Sequence, residues 1–299
     1  MKSNNPSVSI IIPTYGGSQS LDRSIQSVLK QDYDNFDIIV VDDNNPDTVA
    51  RKDTAAIMDK YSQEKRIIYI QHENNKNGAA ARNTGVRKSK SKYICLLDDD
   101  DVFLPKRIEK QVEFLEKNQQ FQACYCWRTQ NNKKICGMFE GDLSEQLLDL
   151  TFTPTTSAIM LTKCSYDIIG GFDESYKRHQ DYEFLLRYFK KFKMGVVPEV
   201  LLGFIGNEVD NRVYGKKLYD LKVTFFSQFE TEINKLELNK EGYRKRVYAA
   251  HFSNACVQFI KRGNFILAIK AYFCYGRIGG TLFWNEFFRI VFNWIKKKV

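Results

Sequence analysis

The stretch Tyr93–Asp101, YICLLDDDD, joins a short apolar run to four consecutive carboxylates. Tyr93–Leu97 reads as a buried strand. Four adjacent carboxylates repel one another, and a fold tolerates them only where solvent or a cation screens the charge. Open α/β sheets place their ligands at the C-terminal ends of parallel strands. In such a turn Asp98 and Asp100 can point to one side and share a divalent cation. Oxygen ligands of this kind suit Mn²⁺ or Mg²⁺, which in turn grips a diphosphate. An isolated acidic run is otherwise a solvated loop.

Working outward, the preceding residues alternate strand and helix patterns. Ser7–Ile12 (SVSIII), Phe36–Val41 (FDIIVV) and Arg66–Ile70 read as strands. A helix with Ser20 as its N-cap follows the first, one over Thr48–Tyr61 the second, and one over Gly78–Lys88 the third. Such alternation predicts an α/β fold with a mostly parallel sheet flanked by helices. Downstream, Pro105 marks a helix start, Phe121–Trp127 and Thr155–Leu161 are strands, Asp181–Phe192 is a helix, and Met194–Val197 is a strand ended by Pro198. From about Lys216 the pattern is helical throughout. The division is therefore 1–212, an α/β domain, and 213–299, a helical C-terminal region.

Two further segments carry polar chemistry. Asp42-Asp43 ends the second strand, where a carboxylate can accept from the imide N–H of a uracil ring; an N-cap or turn role in Asp-Asp-Asn-Asn-Pro competes with that reading. Asn74–Gly85 (NNKNGAAARNTG) opens a helix with small residues, which suits ring or phosphate contacts, and Arg82 is a charge partner there. No GxGxxG fingerprint and no P-loop occurs, so nicotinamide or ATP use lacks support.

Val8–Tyr15 (VSIIIPTY), Val40–Asn44 (VVDDN), Asn77–Gly85 (NGAAARNTG) and Tyr93–Asp101 together resemble the inverting glycosyltransferase family 2, of GT-A fold, from about Ser7 to Ile205. The resemblance implies transfer of a sugar from a UDP-sugar donor to a glycan acceptor carried on lipid, protein or oligosaccharide. It implies a donor-nucleotide site built from Pro13, Thr14, Tyr15, Asp42, Asp43, Asn74, Gly78, Arg82, Asp98 and Asp99. It makes Asp98 and Asp100 the metal pair, Asp100 the more direct ligand. Gly170–Glu174 (GGFDE) precedes His179-Gln180-Asp181, and the family's catalytic base falls on Asp181. Gln180 stands where the family more often has Glu. Many relatives place a His near the end of the domain; here Leu202–Glu208 has none, and Asn207, Glu208 or water takes that place. The Gln-x-x-Arg-Trp motif of processive members is absent, which favours addition of one sugar. An inactive scaffold that binds glycan or membrane, and a sugar-nucleotide nucleotidyltransferase, are the competing readings.

Composition narrows the setting. Hydrophobic residues at 43% and charged residues at 27% are ordinary for a folded domain, so disorder is not expected. Net charge is +9, yet residues 261–299 hold eight of the 45 Lys and Arg and one of the 36 Asp and Glu. The excess therefore sits on the tail, which suggests an anionic partner surface. Nucleic acid is a poor fit beside the acidic core region. Seven cysteines without a CxxC pair read as reduced, mostly buried thiols, and the three histidines are not at zinc-ligand spacing. No signal-length apolar run opens the chain, so a cytoplasmic location is expected, at the inner membrane face if the tail binds lipid. Thr281–Val299 places Asn285, Arg289, Asn293 and Lys296 on one polar stripe and aromatic or aliphatic residues elsewhere. That suits an interfacial membrane helix as well as one packed on protein. Tyr243–Lys261 and Phe265–Tyr275 read as packing helices. Homo-oligomerisation is open.

Overall fold

The computed structural model describes residues 5–16, 20–131, 133–153, 155–176, 178–205 and 213–296. These form two compact units, one within Met1–Leu143 and Pro154–Glu208, the other within Ser144–Thr153 and Val209–Val299. The detour at 144–153 is not part of the sequence-based division. Its helix is drawn to the second unit by hydrogen bonds from Tyr243 Oη to Glu145 O (2.8 Å) and between His251 Nε2 and Leu148 O (2.8 Å), and by an ion pair of Arg246 with Asp149 (2.9 Å).

The first unit runs β1 (Val8–Thr14), α1 (Ser20–Leu29), β2 (Phe36–Asp42), α2 (Val49–Asp59), β3 (Ile67–Gln71), α3 (Gly78–Lys88), β4 (Tyr93–Leu96), β5 (Val102–Phe103), α4 (Arg107–Lys117), β6 (Ala123–Gln130) and β7 (Lys133–Ile135). After the detour helix α5 (Ser144–Leu148) it resumes with β8 (Ile159–Thr162), α6 (Lys163–Ile168), α7 (Gln180–Phe189) and β9 (Met194–Phe204). The second unit adds α8 (Gly215–Gln228), α9 (Glu230–Asn239), α10 (Tyr243–Lys261), α11 (Phe265–Cys274) and α12 (Gly280–Ile295).

The strands form one sheet in the order β3-β2-β1-β4-β8-β6-β9-β5, with β7 on β6. β1 to β4 pair in parallel, as does β6 with β9, while β8, β5 and β7 pair antiparallel. The result is a GT-A-like mixed sheet whose parallel part is the N-terminal half. β1, β2 and β4 are buried almost throughout, which is why they read as unbroken apolar runs.

Three local features depart from the sequence reading. Pro198 does not end its strand: Cys126 pairs with Val197 and Trp127 with Val200, so Pro198 and Glu199 are absorbed in an exposed bulge and β9 continues to Phe204. Ser20 does not cap α1 with its oxygen; its hydroxyl donates to Asp99 O at 2.8 Å. The small residues of α3 serve helix–sheet packing: Ala79, Ala80 and Ala81 are buried, and a Cβ at Gly85 would stand 2.4 Å from Ile11 Cγ2. Gly85→Ala is therefore expected to cost about 1–3 kcal/mol through overpacking, read as a lower denaturant midpoint with an unchanged slope.

Pro13 explains where the sheet opens. Leu97 N donates to Ile11 O at 3.0 Å, so the odd residues of β1 face β4. Pro13 is the next to face that way and has no N–H to offer. The two strands part there, and the acidic turn begins at Asp98.

Candidate active site

Three element ends converge beyond that opening: the turn after β4, the first half of α3, and the start of α7. The acidic turn is clamped from beneath. Ser24 Oγ donates to Asp99 O (3.0 Å) and Asp101 O (2.6 Å), and Asp98 N donates to Ser157 Oγ (3.0 Å). Arg23 donates to Asp100 O at 3.2 Å. These ties hold four carboxylates in one tight turn against their mutual repulsion.

The four acids have different tasks. Asp99 is buried and faces β1, accepting from Thr14 Oγ1 at 2.6 Å and from the Tyr15 amide. It is a latch between strand ends, and it takes the hydroxyl of Thr14. Asp101 is fully buried and accepts from Ile205 N at 3.3 Å. Asp98 and Asp100 remain partly accessible. Burial, then repulsion from neighbouring acids, pushes the carboxyls of Asp99, Asp100 and Asp101 up to about 7, 6 and 8. The turn is electrostatically short of positive charge.

Arg82 supplies one cation. Its guanidinium is held by Asp98 Oδ1 and by Gln180 Oε1 (3.2 Å) and lies over the Phe172 ring at 5.6 Å. Burial works against its charge, but the fields of Asp98 and Asp181 outweigh that and raise its pKa. Gly78 begins α3 beside it; a Cβ there would stand 3.1 Å from Arg82 Nη1. Gln180 thus has a task that spacing does not reveal: its amide oxygen receives Arg82 while its Nε2 donates to Tyr176 O at 2.7 Å.

Asp181 is the second residue of α7, with His179 before the helix in the left-handed region at φ 58°. Burial raises its pKa, offset in part by the Tyr182 amide and Arg82. A carboxylate with a raised pKa at a helix start is a competent proton acceptor near neutrality. The GGFDE loop is fixed beside it. Arg187 spans Glu183, Ile169 O (2.6 Å) and Gly171 O (2.8 Å), and Asn83 bonds Phe172 N (2.9 Å), Phe172 O (2.9 Å) and Glu174 (2.8 Å). Gly171 has φ +72°, and a Cβ on it would meet Asn83 Oδ1 at 2.7 Å, so only glycine fits.

In this structure the side chains of Asp42 and Asp43 bond to groups of the protein. Asp42 accepts from Asn44 N (2.9 Å), Asn44 Nδ2 (2.8 Å) and Tyr69 Oη (2.6 Å), with Arg51 Nε at 3.4 Å. Asp43 accepts from Asn75 Nδ2 (2.9 Å), Lys76 N (2.8 Å) and Asn77 N (2.8 Å), with His72 Nδ1 at 2.7 Å. A carboxylate has about four acceptor sites. Asp43 fills its sites largely by building the loop that enters α3, whose N-cap is Asn77, while Asp42 takes three bonds from the turn after β2 and from β3. Asn74 is exposed in that loop, and Tyr15 is 60% exposed at the end of β1. Sequence reasoning missed His72, Asn83 and the bonding of Gln180. The stretch Phe152–Ser157, which the sequence marks as a source of hydroxyl contacts to the donor, brings Thr156 Oγ1 to 3.4 Å from Asp98 Oδ2 and Ser157 Oγ to Asp98 N. Asn207 and Glu208 lie outside the described residues.

Comparison with known proteins agrees with this architecture. The family model described as glycosyl transferase family 2 matches residues 9–135. An uncharacterised glycosyltransferase of Methanocaldococcus jannaschii is 31% identical over 230 residues, covering 72% of this chain and 77% of its own. The amylovoran biosynthesis glycosyltransferase AmsB of Erwinia amylovora is 29% identical over 211 residues, covering 66% of this chain and 69% of its own. The crystal structure of S. aureus TarS 1–349 in complex with UDP-GlcNAc superposes with a TM-score of 0.66 at 16% identity, covering 94% of this chain and 89% of that one. The chain belongs to glycosyltransferase family 2.

Proposed function

We propose that this glycosyltransferase moves a single sugar from a UDP-sugar to an acceptor hydroxyl on a growing glycan, with inversion and with help from Mn²⁺ or Mg²⁺. The observation that carries the reading is the pairing of Asp181 with Asp98 through one buried cation, Arg82. In this reading Asp181 serves the acceptor and Asp98 the donor diphosphate. As the acceptor oxygen bonds to the anomeric carbon, its proton passes to Asp181, and the bond from that carbon to the diphosphate oxygen breaks. Arg82 offsets the growing negative charge on UDP.

The acidic turn fits a hard divalent cation, because its carboxylates are oxygen donors raised in pKa by burial and then by their own crowding. Asp100 and Asp98 would hold it. Bound there, the cation would neutralise charge on the departing diphosphate. Among the described residues no three His, Cys, Asp or Glu side chains form a group that could hold a metal ion. A UDP-sugar is supported by the likeness to TarS, which binds UDP-GlcNAc, and a polysaccharide acceptor by the likeness to AmsB.

The deciding experiment is binding and hydrolysis of a UDP-sugar panel with Mn²⁺ and with chelator. Metal-dependent binding of one donor is expected. Asp100→Ala should weaken it by at least about 10–100-fold, the cost of losing even a supporting group of a metal site. Donor binding unaffected by chelator and by Asp100→Ala would remove the cation from the mechanism. No donor bound under any condition would favour an inactive scaffold.

A further inference from the structure

The second unit carries an exposed apolar surface that its fold does not use. α11 and α12 both pack on α10. The sequence reading of α11 as a packing helix holds for only one of its faces: Ala268 and Ala271 are buried, while Ile266 is 84% exposed and Ile269 and Phe273 are each 58% exposed. The spacing of 266, 269 and 273 puts these three on one stripe. α12 is divided in the same way. Phe283 is buried and Phe287 half-buried on one face, and Asn285, Arg289 and Asn293 form a polar face. Between them Trp284, Phe288, Phe292 and Ile295 are 41%, 50%, 61% and 48% exposed, again at helical spacing. Tyr272 of α11 joins the helices, its ring centroid 5.0 Å from Phe283 and 5.1 Å from Trp284.

We propose that the α11–α12 surface seats this protein on an anionic membrane. Charge decides between the two occupants such a surface could have. Residues 261–299 hold eight basic residues and one acidic residue, Glu286, which is already paired with Arg289. A second copy of the chain meeting this face about a two-fold axis would bring two basic tails together. An anionic leaflet meets the same net positive charge with attraction. The mode is in-plane: no described helix is long and apolar enough to cross a bilayer, and α12, about 24 Å long, is shorter than a hydrocarbon core of about 30 Å. Trp and Phe beside basic residues are the side chains that settle at the headgroup boundary.

The test is co-sedimentation of the full chain with vesicles of phosphatidylglycerol and phosphatidylcholine in equal parts, against phosphatidylcholine alone. Strong binding to the anionic vesicles, weakened by salt, is expected. Phe288→Ser with Phe292→Ser should weaken it at least about tenfold, and Ile266→Ser with Ile269→Ser likewise, since each pair removes apolar area from the contact. All four side chains are exposed, so donor hydrolysis and the thermal midpoint should not change. Failure to sediment with anionic vesicles, or sedimentation of both variants at the level of the unaltered protein, overturns the proposal. So does a dimer in light scattering that either variant dissociates, which would assign the surface to a second copy.

Discussion

Asp181→Asn is expected to reduce transfer by about 10²–10⁴-fold while leaving donor affinity unchanged. The amide keeps the size of the side chain and its place at the second position of α7, but it cannot take the acceptor's proton. The pH profile of the unaltered enzyme supplies a second measurement. Burial raises the Asp181 pKa above that of an ordinary carboxylate. The base works only when deprotonated, so kcat/KM should fall as pH drops through that raised value, at higher pH than a free aspartate would give. The acid limb should vanish with Asp181→Asn. An unchanged rate or an unchanged limb would assign the base elsewhere.

Arg82→Ala is expected to lower transfer by about 10²–10³-fold, the scale of losing one preorganised charge donor. It should also cost stability, on the order of 3 kcal/mol, because the guanidinium is largely buried and its partner Asp98 is less so (side-chain exposures of 12% and 31%). Without it Asp98 and Asp181 face each other with no cation between them, and Gln180 loses the partner of its amide oxygen. The acid limb of the pH profile should therefore move upward. Arg82→Lys should restore the limb in part but not the rate, since one ammonium cannot reach Asp98 and Gln180 as the planar fork does. A Lys variant as active as the parent would show that charge alone matters at this position.

The location of the candidate site was legible because it rests on local signals. A strand is recognised by four or five apolar residues, and an acidic turn after it is conspicuous on any reading. Asp98, Asp100, Arg82 and Asp181 do converge, from three separate elements. The full uses of Asp42, Asp43 and Asp99 were not legible. A turn role is one of the two readings of Asp42-Asp43, and Asp42 does accept from Asn44 N, but the donors Tyr69, Asn75 and Thr14 come from other segments of the chain. The same limit applied to α11, whose apolar residues read as core until its neighbours showed that only the Ala268 and Ala271 face has anything to pack against.

By itself the sequence determined the order of strands and helices in about the first hundred residues, the acidic turn at a strand end, and the basic bias of the tail. These follow from periodicity and composition, which act over a few residues. Only the tertiary structure decided which acids stay available, that Gln180 holds Arg82, that residues 144–153 join the helical unit, and which aromatic residues of the tail remain uncovered. Whether a lone pair or an apolar face is free depends on groups delivered from far along the chain, as Thr14 reaches Asp99 across 85 positions.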